Sequence, residues 1–238
     1  MTTLALNVQQ IVKSYDKKVV LHQIDLTIPQ GEFFGLVGMN GAGKTTLLKC
    51  LLDFCAVDSG TIEIFGVEHG KTESRRPLAF LPERFMPPYY LTGADFLKYT
   101  LKLQDIAFDP VTTAATLEAL DLDQSALSKV VRSYSKGMTQ KLGLAACFLA
   151  RKQLYVLDEP MSGLDPKARA LLKLRLQQLR HEGCTLFFSS HALADVEEIC
   201  DRMAILHDGK LRFVGSPAEC RATFQAPSLE QAYLKCIA

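Results

Sequence analysis

The chain has 238 residues, 48% of them hydrophobic, and a formal net charge of +1 at pH 7. That length fits one domain, or one domain with a small insertion, and the apolar content is ample for a buried core, which excludes a disordered chain. The near-neutral charge excludes a global nucleic-acid footprint, and no run of about 18 apolar residues encodes a membrane span.

Residues 4–12 and 19–28 alternate polar and apolar around the break at Gln30-Gly31, which predicts strands of a small antiparallel sheet. The apolar run 32–37 predicts a buried strand, the glycine-rich stretch 38–43 a turn, and Leu47, Leu48, Leu51 and Leu52 a helix over 44–54. Residues 61–65 and 78–81 read as strands, the second stopping at Pro82, and Pro87-Pro88 marks an exposed connection. From Gly93 to about Ala150 the pattern is helical, with breaks near 109–110, 121–125 and 133–137. Residues 154–157 and 185–189 are buried strands, followed by helices near 166–181 and 192–200; 203–206 and 210–214 make a hairpin around His207-Asp208-Gly209. Strands alternating with helices predict an α/β core with a mainly parallel sheet.

Met1 to Leu6 lacks a basic segment followed by an apolar core, so no signal peptide is expected. The seven cysteines (50, 55, 147, 184, 200, 220 and 236) include no Cys-x-x-Cys pair. They sit in apolar stretches or near helix ends, the pattern of reduced, packed thiols, and a reducing cytoplasm fits them best.

Two motifs carry chemistry. Gly38-Met-Asn40-Gly41-Ala42-Gly43-Lys44-Thr45-Thr46, between a strand and a helix, fits the phosphate-binding P-loop. Glycines let the backbone curl its N–H groups toward phosphates, and the helix N-terminus adds positive potential. Lys44 supplies a cation for the β- and γ-phosphates, and the Thr45 hydroxyl suits Mg²⁺. Downstream, Leu154-Tyr-Val-Leu-Asp158-Glu159 brings two carboxylates to the end of a buried strand. Asp158 would hold Mg²⁺ and Glu159 would orient and polarise the attacking water; in isolation the same pair reads as a helix N-cap.

The order P-loop, Ser133-Tyr-Ser-Lys-Gly137-Met-Thr-Gln140, Leu157-Asp-Glu-Pro160, Ser162-Gly-Leu-Asp165, Ser189-Ser-His191 resembles the ATP-binding cassette (ABC) proteins over nearly the whole chain. The resemblance implies a P-loop NTPase (RecA-like) α/β core with a small antiparallel β subdomain, from 1–85 and 151–238, and an inserted helical subdomain at 86–150. It implies ATP and Mg²⁺ as ligands, with Lys44, Glu159 and His191 catalytic and Thr45 and Asp158 on the metal. It puts Tyr15 at the adenine-stacking position, with a strand-edge surface tyrosine as the alternative. Ser135, Lys136 and Gly137 match the signature that caps ATP held by the other subunit, a task compatible with a helix cap. Asp165 matches the D-loop and His191 the switch histidine.

Two positions depart from the family pattern. Glu83 stands where a glutamine is usual, and the signature reads Tyr134-Ser135-Lys136-Gly137-Met138. Both changes, and the tail 228–234, resemble the ABC-2 type subfamily, whose ATPases pair with separate permeases and mostly export. The implied partners are a transmembrane permease and a second copy of the chain or a related ATPase subunit, with no nucleic acid. The implied location is cytoplasmic, on the inner face of the membrane through the permease. The segment from Glu83 through Tyr89, Tyr90 and Leu91 is either a groove for a short permease helix or a loop folded over the core. The rival reading is a soluble ABC-type ATPase not engaged in transport. A P-loop kinase or GTPase is disfavoured by the absence of Asn-Lys-x-Asp.

Overall fold

The computed structural model describes residues 3–238. Strands β1 (Leu4–Tyr15) and β2 (Lys18–Pro29) form an antiparallel hairpin, and β3 (Phe33–Val37) leads into α1 (Lys44–Leu51). Next come β4 (Ser59–Ile64), β5 (Val67–Glu68) and β6 (Leu78–Leu81). The helical stretch holds α2 (Gly93–Lys102), α3 (Pro110–Ala119) and α4 (Lys136–Leu149), with two short 3₁₀ turns between α3 and α4. Then follow β7 (Leu154–Asp158), α5 (Pro166–His181), β8 (Thr185–Ser190), α6 (Leu193–Ile199), β9 (Arg202–His207), β10 (Lys210–Gly215), α7 (Pro217–Thr223) and α8 (Leu229–Ile237).

Two sheets result. The smaller is antiparallel in the order β2-β1-β4-β5. The larger runs β10-β9-β3-β8-β7-β6 and is parallel except for β10, which pairs antiparallel with β9 at the edge. A parallel sheet covered on both faces requires continuous apolar strands. Every residue of β3, β7 and β8 is buried accordingly.

Alternation splits these strands between two cores. Phe34, Leu36, Val156, Phe187 and Leu206 pack with Leu47, Leu48 and Leu51 of α1 and with the inner face of the smaller sheet. Phe33, Val37, Tyr155, Leu157, Phe188 and Ile205 pack on the other side with α4, α5 and α6. Gly35 shares that second face; a Cβ there would lie 2.8 Å from the Cys200 sulfur and 2.9 Å from Val196. Only a glycine lets α6 lie this close to β3.

Thr92, Asp109 and Ser135 cap α2, α3 and α4 through side-chain acceptors. Their apolar faces (Leu97, Leu101, Leu117, Leu142) join the core that also holds Leu81 and Leu157.

The register puts the ends of the strands level. Val37 lies opposite Ser190 and Ile205, Asp158 opposite Ser189, and Leu81 opposite Leu157. The segments that follow β3, β6, β7 and β8 therefore leave from one edge of the sheet, where open α/β folds bind ligands.

Candidate functional site

After Val37 the chain turns through 38–43 into α1. Gly41 and Gly43 take φ +86° and +111°, a region open to glycine at little cost. A Cβ on Gly38 would sit 2.5 Å from the Leu206 carbonyl oxygen, so the loop can lie against β9 only with glycine there. The first bond of the helical ladder runs from the Leu47 amide to Gly43, which leaves the amides of Lys44, Thr45 and Thr46 without intrahelical acceptors. No side chain caps α1 and no acidic residue lies in its first turn, whereas α2, α3, α4, α5, α7 and α8 all carry side-chain caps. An uncapped, buried helix start under a glycine loop suits an anion.

Lys44 is buried. Its Nζ donates to the Gly38 carbonyl at 2.6 Å and stands 4.0 Å from Oε1 of Glu159. β7 delivers Asp158, 3% exposed, and Glu159, 8% exposed. The Ser189 hydroxyl donates to Asp158, and the Glu159 amide donates to the same hydroxyl oxygen at 3.1 Å. Glu159 has φ +50°, a strained value for a side-chain-bearing residue, which swings the chain off the sheet just after the carboxylates. His191 is largely exposed and brings Nδ1 to 2.9 Å from Oε2 of Glu159.

Burial pushes both carboxyls above their ordinary pKa range. At Asp158 the Ser189 hydroxyl opposes burial most, the Glu83 charge adds to it, and Lys44 opposes it. At Glu159 burial is opposed by His191 and Lys44. Two buried carboxyls thus face one ammonium across a cleft of about 400 Å³. A hard divalent cation fits this charge pattern, with Thr45 and Asp158 offering oxygen donors.

One cleft gathers Asn40, Gly41, Gly43, Lys44, Thr45 and Thr46 from the loop and helix, Glu83 from beyond β6, and Asp158, Glu159 and His191. Gly38 and Ala42 lie behind that lining, Gly38 as the acceptor for Lys44 and Ala42 as a buried residue. Val20, Met39 and Arg84 also line the cleft, and sequence reasoning did not single them out. The bridging role of Ser189 was also missed, although a serine ending an apolar strand opposite Asp158 is the kind of signal that finds such a group. A larger cleft of about 800 Å³ lies between α5 and α6 and contains none of these groups.

Tyr15, Ser135, Lys136, Gly137 and Asp165 do not line the cleft. Tyr15, half exposed at the end of β1, donates its hydroxyl to Cys55 Sγ at 3.6 Å, and Lys13 lies 5.1 Å over its ring. The Cys55 contact and burial raise the Tyr15 pKa, and the nearby hydroxyl of the cleft residue Thr46 opposes that rise. Ser135 caps α4 by accepting from the Met138 amide at 3.2 Å. Lys136 reaches Ser162 at 3.3 Å, and a Cβ on Gly137 would meet the Gly163 carbonyl at 3.0 Å. Gln140 donates to the Pro160 carbonyl at 3.1 Å, so the start of α4 is fastened to the turn that follows Glu159. Asp165 caps α5 through the Ala168 amide at 2.9 Å.

A glycine loop between a buried parallel strand and an uncapped helix, with paired carboxylates ending a second strand, defines a P-loop NTPase fold. The family model described as ABC transporter matches residues 21–162. An uncharacterised ABC transporter ATP-binding protein of Synechocystis is 41% identical over 203 residues, 84% of this chain and 57% of that protein. The chain therefore spans little more than half the length of that relative. A lantibiotic transport ATP-binding protein of Streptococcus pyogenes is 32% identical over 87% of this chain and 88% of its own length. The solved structure of an ATP-binding subunit of an ABC transporter superposes with a TM-score of 0.89 at 29% identity, covering 98% of this chain and 99% of that one. The chain belongs to the ABC transporter family, as an ATP-binding domain.

Removing the Ser189 hydroxyl leaves a buried Asp158 oxygen without its donor, while the Glu159 amide keeps only its longer bond to the Ser189 carbonyl at 3.3 Å. Ser189→Ala should lose about 1–3 kcal/mol of stability in urea unfolding, against near-zero change if the bridge contributes nothing.

Proposed function

We propose that the chain is the ATP-hydrolysing subunit of a transporter, and that it works as a dimer driving a separate transmembrane permease. The observation that carries this reading is the meeting of Lys44, Glu159 and His191 in one cleft, with His191 2.9 Å from the carboxylate it would steady. The triphosphate tail of ATP would lie on the loop 38–43 and the free amides of α1, with Lys44 pairing with β- and γ-phosphate oxygens. Mg²⁺, held by Thr45 and Asp158, would neutralise charge on the phosphoryl oxygens.

Glu159 would accept the proton of the attacking water. Its orientation is fixed from two sides, by His191 and by the strained turn after β7. Tyr15, beside Thr46, would stack on adenine. Glu83 would reach the metal region through water, and Arg84 beside it would add positive charge.

The cleft is half a site in this proposal. Ser135, Lys136 and Gly137 would close over the γ-phosphate held by a second copy or a related subunit, and Asp165 would join the two sites. Because the start of α4 is pinned to residues 160–163, movement at the signature would reach Glu159 through one short turn. The helical segment 86–150 is the natural moving unit against 1–85 and 151–238.

For the permease we propose the segment after Glu83. Phe85 packs edge-on against Phe96 at 5.6 Å and anchors the segment, while Met86, Tyr89 and Tyr90 project into solvent. Tyr89 and Tyr90 form an edge-to-face pair at 5.7 Å. Among the described residues no helix is long and apolar enough to cross a membrane, so attachment to the inner membrane face would come through this docking. The ABC-2 type likeness of Glu83, the signature and the tail favours export.

Glu159→Gln should keep MgATP binding, lose hydrolysis by about 10²–10⁴-fold, and form an ATP-dependent dimer on size-exclusion chromatography. Unchanged turnover would remove Glu159 from the mechanism. The double variant Tyr89→Ala/Tyr90→Ala should retain the basal ATPase of the isolated chain and lose its stimulation by the permease; full stimulation would reject this docking site.

A further inference from the structure

The ending of α1 brings two cysteines together. The Phe54 amide donates to the Lys49 carbonyl at 2.8 Å and the Asp53 amide to the Cys50 carbonyl at 3.1 Å. Asp53 takes φ +58°, so the helix closes in a Schellman motif with aspartate in the left-handed position. The reversal folds Cys55 back against the last turn, and the sulfurs of Cys50 and Cys55 stand 3.6 Å apart. Cys50 is fully buried, while Cys55 is partly open to solvent. A third group joins them, because the Tyr15 hydroxyl donates to Cys55 Sγ at 3.6 Å.

We propose that Cys50 and Cys55 are a peroxide-sensitive dithiol that closes to an intrachain disulfide and thereby weakens nucleotide binding. The Cys55 sulfur attacks a hydroperoxide; an S–O bond forms, the O–O bond breaks, and water or an alcohol leaves. The Cys50 sulfur then attacks the sulfenic sulfur of Cys55. The S–S bond forms, the S–O bond breaks, and the departing hydroxyl takes the Cys50 proton as water. The two thiols supply the two electrons that reduce the peroxide. Burial, with the neighbouring thiol adding, pushes Cys50 up to about 12, which makes it the resolving thiol and Cys55 the attacking one.

The link to the nucleotide, which rests on the function proposed above, is short. A disulfide must close the sulfurs to about 2.05 Å, which pulls on the Schellman turn of the helix that begins at Lys44. It also removes the thiol that the Tyr15 hydroxyl touches, and Tyr15 adjoins Thr46.

The experiment treats the reduced full-length chain with hydrogen peroxide, alkylates it with iodoacetamide and maps tryptic peptides. Cys50 and Cys55 fall in one peptide, since Lys49 precedes Cys50 and the next lysine or arginine is Lys71. That peptide should become lighter by two hydrogens and carry no alkyl group. MgATP affinity, measured on the same samples, should fall severalfold and return with dithiothreitol. Cys55→Ser should show neither change. A peptide with both thiols alkylated after peroxide overturns the proposal, and a disulfide form with unchanged affinity overturns its coupling to the nucleotide. A reduced chain that binds no MgATP fails the functional reading separately, while the mass shift still decides the dithiol.

Discussion

The parallel register of the central strands is the constraint on which the rest depends. Because β3, β6, β7 and β8 run the same way and end level, the groups that follow them leave from a single edge. Residues more than 100 positions apart in the chain (Lys44 and Glu159) thereby come within 4.0 Å. That register is held by full burial of β3, β7 and β8 between two apolar layers, so a shift of β7 by one residue would exchange its two faces and move Asp158 off the edge.

The edge concentrates unbalanced charge. Asp158 and Glu159 are buried next to each other with Lys44 as the near cation, and burial raises both carboxyls. Such a site carries an electrostatic cost that a metal-bound polyanion would relieve from both directions. In the proposed function its cation would meet the carboxylates, and its phosphates would meet Lys44 and the uncapped start of α1. Ser189 keeps the arrangement rigid by accepting from one backbone amide and donating to the neighbouring carboxylate. Around this core the chain adds groups that do not line the cleft: the start of α4, fastened to the turn that leaves Glu159, and Asp165, which caps α5.

Much of this was legible before any fold was known. The apolar runs of β3, β7 and β8 and the glycine loop give the central unit by periodicity and composition alone. The cleft residues found by motif carry unusual residue types in fixed order, which survives without geometry. Val20 was not legible, because it enters the cleft through tertiary approach; Met39 and Arg84 sit beside Gly38 and Glu83 in the chain, at positions whose residue type the pattern leaves free. α7 was overlooked although Ser216-Pro217-Ala218-Glu219 spells a capping box, and the structure shows both of its bonds. The helix read over 44–54 stops at Leu51, since Asp53, one residue past the C-cap Leu52, takes the left-handed conformation that glycine usually announces. That same unannounced turn pairs Cys50 with Cys55, thiols that sequence alone presents as separate and inert.

The central claim is that the loop between β3 and α1 holds the triphosphate of ATP through Lys44. Calorimetric titration of MgATP into the full chain and into Lys44→Ala tests it most directly. The wild-type chain should bind one nucleotide, and affinity should be about ten- to a hundredfold weaker in the variant, the worth of a charge-assisted bond. Equal affinity in the two proteins, with the variant folded, would contradict it.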